Sequence, residues 1–244
     1  MTAEIAILNK NAVALAADSA VTLRNPETQK VYNTANKLFM LSKYHPVGIM
    51  VYGHAELMGI PWETVIKMYR EELHTTNFNR LIEFAEHFIS FLEGNRLLFS
   101  EAVQEQELVG MCHWVLAQVQ QRIDALVQSE IAAHAGIDHE GIERIIAEVV
   151  DEELRTWEQI RRLECFPPDF ESELLIEYEE SLRRILDDVF LQLPIDHVRN
   201  KLLQICAFRI TRDWWSQRSG GIVVAGFGGK TISYRYSNHL PSKQ

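Results

Sequence analysis

The spacing of hydrophobic residues divides the chain into strand-forming and helix-forming stretches. The first part holds short apolar runs separated by polar breaks, which predicts four strands, over residues 2–8, 12–18, 37–42 and 47–53. The second run is apolar at almost every position, so we expect that strand to be buried on both faces. Asn9-Lys10-Asn11 favours a tight reversal before it. The first two strands then form a hairpin that returns Asp18 to the neighbourhood of Thr2.

The stretch between the second and third predicted strands is polar. Residues 24–30 read Arg-Asn-Pro-Glu-Thr-Gln-Lys, a composition that predicts a loop. Two interpretations fit this loop equally well: a border of a substrate cleft, or a solvated connector.

From residue 55 onward the apolar spacing becomes helical. Two helices are predicted over 60–74 and 79–93, and we expect both to pack on one face of the sheet. A longer helical stretch follows, with Pro167-Pro168 and Pro194 as breaks. Its predicted helices span 100–134, as one helix or two, then 142–164, 170–191 and 195–217. No fixed repeat period is present, which argues against a solenoid.

Strand patterns return near the end of the chain, over 221–229 and 231–236. The sequence therefore predicts the α+β class. Residues 1–95 and 219–237 form the sheet and its helices, residues 96–218 form an all-helical insertion, and residues 238–244 form a polar tail.

Charge and cysteine content narrow the classes of partner and compartment. The formal net charge of −10 argues against nucleic acid or an anionic membrane as the main partner. The three scattered cysteines give no disulfide framework, which fits a reducing cytoplasm. The sequence shows no signal segment and no apolar run of about 18 residues, so neither export nor membrane spanning is predicted.

The opening segment carries the candidate chemistry. If Met1 is removed, Thr2 becomes an N-terminal residue whose hydroxyl is the nucleophile and whose α-amine is the base. A nearby ammonium, Lys37, lowers the pKa of that amine and favours its neutral form. Asp18 orients Lys37, and backbone N–H groups at Tyr52-Gly53 stabilise an oxyanion.

This segment resembles the proteasome β-subunit family and its bacterial HslV-type relative, which are N-terminal-nucleophile (Ntn) hydrolases. The matching features are an N-terminal Thr2, Asp18-Ser19 sixteen residues later, Lys37 opening a third strand, and Gly53-His54-Ala55-Glu56 ending the fourth. The resemblance implies an αββα sandwich and a threonine protease or amidohydrolase. It assigns catalytic roles to Thr2, Asp18 and Lys37, and the oxyanion loop to Tyr52-Gly53. It implies a peptide or protein substrate, a homo-oligomer, and no metal or organic cofactor; an ATPase partner would fit, but the sequence identifies none.

Several features depart from the family pattern. Tyr52 stands where the family usually has glycine, and the stretch from Asp18 to Lys37 is a few residues longer. The family's later supporting Ser and Asp residues have no counterpart, and its C-terminal half is not visible. The resemblance therefore implies an incomplete sandwich. A truncated fragment, a decayed copy, and a variant that rebuilt the missing half from its helices all fit.

Two other functions remain open at this stage. A catalytically inactive proteasome-like remnant would act as a protein-interaction module through its helical insertion. A structural helical-bundle protein would carry opening strands that match the family only by chance. Thr2, Asp18 and Lys37 each have an ordinary structural interpretation when taken singly.

Overall fold

A computed structural model describes residues 4–9, 12–18, 21–25, 28–32, 36–54, 56–134, 136–191, 193–214, 220–226 and 234–237. The chain divides into two compact units. Unit 1 comprises Met1–Ser100 and Trp215–Gln244, and unit 2 comprises Glu101–Trp214. In the described residues, unit 1 holds antiparallel strands and helices, whereas unit 2 is built from helices. The predicted α+β class is confirmed.

The strands of unit 1 form small antiparallel sheets. Their bounds are β1 Glu4–Leu8, β2 Val13–Ala17, β3 Val21–Asn25, β4 Thr28–Tyr32, β5 Leu38–Met40, β6 Val47–Tyr52, β7 Glu56–Leu57, β8 Ile60–Pro61, β9 Gly221–Gly226 and β10 Tyr234–Ser237. A four-stranded sheet has the order β10-β9-β6-β5, and the pairs β1-β2, β3-β4 and β7-β8 are hairpins. The long helical stretch of sequence thus separates two strands, β6 and β9, that pair directly.

Two helices cover one face of the four-stranded sheet, as predicted. They are α1 Trp62–Leu73 and α2 Leu81–Gly94. Alternate side chains of β6 and β9 enter one buried cluster with apolar residues of both helices. Members of this cluster include Val47, Ile49, Val51, Ile222 and Val224 from the strands, and Val65, Ile66, Tyr69, Leu81, Phe84 and Phe88 from the helices. The period-2 and 3.6-residue apolar patterns therefore converge on one core.

The β1-β2 hairpin packs beside β5 and β6. A Cβ built on Gly48 of β6 would lie 3.3 Å from Leu15 Cδ1 of β2, so the hairpin contacts the sheet closely there. The prediction that this strand is buried on both faces is wrong, because half-buried Val13, Leu15 and Ala17 alternate with exposed Ala14 and Ala16. Strand β2 is a run of small apolar residues with no polar residue to indicate which face is exposed to solvent. Composition alone therefore gave the wrong burial for this strand.

The polar stretch between the hairpin and the sheet is more ordered than predicted. Residues 21–25 and 28–32 pair as β3 and β4, with Val21 opposite Tyr32 and Asn25 opposite Thr28. The prediction of a loop over residues 24–30 is therefore wrong for residues 24–25 and 28–30, which belong to β3 and β4. The β-branched and aromatic residues that bound the stretch favour extended backbone, and a ladder needs no apolar side chain to pair its backbone groups.

Unit 2 contains five α-helices in its described residues. They are α3 Glu101–His134, α4 His139–Gln159, α5 Phe170–Glu177, α6 Glu179–Phe190 and α7 Arg199–Thr211, the last preceded by a 3-10 turn over Asp196–Val198. The stretch 100–134 is one helix, whereas 170–191 is divided at Tyr178. Helix α3 packs against α4, α6 and α7, which buries Cys112, Leu116 and Val119. None of the helices in the described part of the chain is both long and apolar enough to cross a lipid bilayer.

Candidate active site

Lys37 and Asp18 form a close ion pair in unit 1. Lys37 Nζ lies 2.5 Å from Asp18 Oδ1. The lysine side chain is 4% exposed and the aspartate side chain is 31% exposed, so the pair is sheltered on the lysine side and open to solvent on the aspartate side. The ammonium group is thus fixed in a largely dry environment, where its field is screened less than at the surface.

The strand pairings explain how two residues so far apart in sequence meet. Asp18 directly follows β2, and Lys37 directly precedes β5. The carbonyl oxygen of Lys37 accepts a hydrogen bond of 2.8 Å from the N–H of Val51, which ties Lys37 to the end of β6. Because β2 lies beside both β5 and β6, its end brings the Asp18 carboxylate to the Lys37 ammonium.

Tyr52 and Gly53 lie at the same end of the sheet as Lys37. Tyr52 is the last residue of β6 and pairs with Gly221 of β9. Gly53 follows with φ 73°, a left-handed backbone conformation that glycine adopts readily and other residues rarely do. Gly53 is two residues beyond Val51, the residue bound to the Lys37 carbonyl. Strand β6 therefore ends, and the backbone changes conformation, two residues beyond the point where the Lys37 carbonyl is bound.

Thr2 lies outside the described residues. The hairpin register is described from Glu4 onward and pairs Glu4 with Ala17, the residue before Asp18. The structure thus brings together Asp18, Lys37 and the Tyr52-Gly53 turn among the predicted site residues. It describes the hairpin to within two residues of Thr2.

Gly220 makes a close backbone contact with the Tyr52–His54 segment that the sequence did not indicate. A Cβ at this position would lie 2.9 Å from His54 N, closer than real Cβ atoms approach, and 3.0 Å from Tyr52 O, closer than most do. The signal in the sequence is a glycine pair, Gly220-Gly221, at the start of an apolar strand. A glycine in such a place often marks a close backbone approach, but the sequence does not say which segment approaches.

The described residues provide no group of three or more His, Cys, Asp or Glu side chains arranged to hold a metal ion. In comparisons with known proteins, no protein-family model, no curated protein and no solved structure matches this chain. The features that indicate a function are therefore the geometry of Asp18, Lys37 and Gly53 and the motif spacing of the opening segment.

Proposed function

We propose that this protein is an N-terminal-threonine hydrolase that cleaves peptide or other amide bonds. The observation that carries the proposal is the buried Lys37 ammonium, which lies 2.5 Å from the Asp18 carboxylate, while the Lys37 carbonyl is bound to Val51, two residues before Gly53. Their sequence order and strand positions match those that the resemblance to Ntn hydrolases assigns to the lysine, its orienting carboxylate and the oxyanion loop.

Stability alone does not account for this ion pair. Removing an ammonium from water costs several kcal/mol, and an apolar pair of similar volume is often as stable as a buried ion pair or more so. The buried apolar cluster of unit 1 lies between the four-stranded sheet and helices α1 and α2, so the ion pair is a contact of the hairpin apart from that core. A reaction that needs a fixed positive charge gives Lys37 a purpose that packing does not.

The described hairpin ends close in sequence to the proposed nucleophile. Thr2 precedes Glu4 by two residues, and two residues of extended chain span at most about 7 Å. Glu4 pairs with Ala17, and Asp18 is the next residue. The length of the chain therefore allows an N-terminal Thr2 to approach the Asp18–Lys37 pair, provided that Met1 is removed.

The proposed reaction proceeds through an ester on Thr2. The Thr2 Oγ attacks the amide carbonyl carbon and its proton passes to the α-amine, whose neutral form the nearby Lys37 charge favours. The carbonyl oxygen becomes an oxyanion and accepts hydrogen bonds from backbone N–H groups at Tyr52-Gly53. The protonated amine then gives its proton to the leaving amine as the C–N bond breaks. Water attacks the resulting ester and releases the acid and free Thr2.

The layers of unit 1 support an αββα arrangement as the fold of this enzyme. Helices α1 and α2 cover one face of the four-stranded sheet, and the β1-β2 hairpin packs beside β5 and β6. This supplies one helical layer and two strand layers. An αββα sandwich has a second helical layer on the far side of the hairpin. The described residues of unit 1 provide no helix for that layer, so the proposed sandwich is incomplete within them.

The test is hydrolysis of a panel of blocked fluorogenic peptide amides by the whole protein. We expect Thr2→Ala to lose at least about 1,000-fold in kcat/KM, because removal of the nucleophile leaves only binding and oxyanion stabilisation. The matched control is Thr75→Ala, which removes an exposed threonine from the turn that follows α1 and is expected to keep the activity of the unmodified protein. Equal hydrolysis by the Thr2→Ala variant would contradict the proposal and favour the interaction-module function.

A further inference from the structure

The backbone after β6 is in unusually close contact with the residue before β9. Gly220 lies where an added Cβ would be 2.9 Å from His54 N, 3.0 Å from Tyr52 O and 3.3 Å from His54 Cβ. Two of these three atoms belong to the backbone and cannot rotate away. An alanine at position 220 therefore requires the Tyr52–His54 turn to move by several tenths of an ångström.

We propose that Gly220 is a positioning residue for the oxyanion site. Its missing side chain lets the Tyr52–His54 turn approach β9 closely, and this approach aims the Gly53 N–H at the carbonyl oxygen of the substrate. This inference rests on the proposed hydrolase function, and it adds a residue that the family resemblance does not assign. Gly220 acts through Gly53 and does not touch the reacting atoms.

The contacts around the turn explain why the turn gives way before the sheet does. Tyr52 is paired with Gly221 in the ladder, and Val51 N–H is bound to the Lys37 carbonyl, so the end of β6 is held on both sides. Gly53 comes next, with φ 73°, outside the ladder. A Cβ at position 220 would thus mainly displace Gly53 and His54. Oxyanion donors act over a narrow range of about 2.7–3.1 Å, so a small shift matters.

Gly226 provides a matched control at the opposite end of the same strand. A Cβ there would lie 2.4 Å from Pro46 O and 2.8 Å from Val47 Cα, a more severe conflict than at Gly220. Gly226 pairs with Val47 and Gly220 adjoins Tyr52, so the two positions lie at opposite ends of β6. At about 3.3 Å per residue these ends are roughly 17 Å apart. Gly226→Ala therefore strains the same strand pair without reaching the turn.

The experiment compares two Thr2-directed probes on the unmodified protein, Gly220→Ala and Gly226→Ala. A β-lactone forms an ester to Thr2 Oγ as its ring C–O bond breaks, and its carbonyl oxygen passes through an oxyanion. A vinyl sulfone adds Thr2 Oγ to its β-carbon, and the proton moves to its α-carbon without a carbonyl oxyanion. Intact mass spectrometry measures the rate constant of labelling by each probe, and the measured quantity is the β-lactone rate constant divided by the vinyl sulfone rate constant. Thermal unfolding is recorded for each protein.

We expect Gly220→Ala to lower this ratio by about 10- to 100-fold, since complete removal of one oxyanion donor costs about 100- to 1,000-fold in rate. Gly226→Ala should leave the ratio unchanged even if its melting temperature falls. A partly unfolded sample lowers both rate constants together, so the ratio still reports on the folded molecules.

Three outcomes would overturn the inference, and they are distinguishable. If the unmodified protein labels on Thr2 and the ratio in Gly220→Ala equals that of the unmodified protein, Gly220 does not position the turn for chemistry. If Gly220→Ala yields no folded protein while Gly226→Ala does, Gly220 sustains the fold rather than the site. If the unmodified protein labels with neither probe, the proposed hydrolase function fails, and the positioning role fails with it.

Discussion

At the scale of single residues, the informative feature is a lysine buried beside an aspartate that lies 19 positions earlier in the chain. Lys37 is one of very few polar residues among the buried positions described for this protein. Lysine is rarely buried unless it is paired, and the pair costs desolvation that its Coulomb attraction only partly returns. The sequence predicted this meeting from the motif spacing of the opening segment, and in the structure it arises because β2 packs beside β5 and β6 without pairing to either strand.

The ion pair makes a prediction that does not depend on catalysis. Asp18→Asn leaves the Lys37 ammonium buried without its carboxylate, and we expect it to lower the free energy of unfolding by about 1–3 kcal/mol, less than for a fully buried pair because Asp18 is partly exposed. Lys37→Met should lose less, since methionine fills a similar volume and needs no partner. We expect the double variant to be more stable than the sum of the single effects by at least about 1 kcal/mol. Urea unfolding of the four proteins measures this coupling, and additive effects would mean that the two side chains do not interact in solution.

At the scale of elements, strands and helices were predicted correctly where apolar residues mark them in the sequence. The prediction failed where backbone pairing or close packing, and not apolar side chains, determines the structure. The strands β1, β2, β5, β6 and β9, and the helices α1 and α2, follow apolar patterns and were predicted to within a few residues. The β3-β4 hairpin was missed because its backbone pairs through polar residues. Gly220 was missed because close approach between Tyr52–His54 and the start of β9 exists only in the folded chain. The sequence therefore predicted the meeting of Asp18 and Lys37, but not the close backbone contact at Gly220.

An aspartate precedes both α4 and α5, but the aspartate side chain caps the helix in α4 only. Asp138 precedes α4 and its Oδ1 accepts a 2.8 Å hydrogen bond from Gly141 N–H, whereas Asp169 precedes α5 and makes no capping hydrogen bond through its side chain. We expect Asp138→Ala to lower the free energy of unfolding by about 0.5–2 kcal/mol, the usual loss for an N-cap. Asp169→Ala is the matched control and should cost less than about 0.5 kcal/mol. Chemical denaturation of both variants measures the difference, and equal losses would contradict the capping role of Asp138.

At the scale of the whole molecule, the candidate site belongs to one unit. Asp18, Lys37, Gly53 and Gly220 all lie in unit 1, although Gly220 is reached only after the whole of unit 2 in sequence. Unit 2 is continuous in sequence and buries its own apolar residues between α3, α4, α6 and α7. The proposed chemistry therefore assigns no catalytic group to the helical unit.

The proposed chemistry requires Thr2 to be a free, reactive N-terminal nucleophile, and intact mass spectrometry before and after treatment with a β-lactone measures both properties. We expect loss of Met1 in the untreated protein and one adduct in the treated protein, which fragmentation assigns to Thr2. We also expect slower labelling in Lys37→Met, because the α-amine would lose the charge that favours its neutral form. Retained Met1 with no adduct, or an adduct on any residue other than Thr2, would contradict the proposed function.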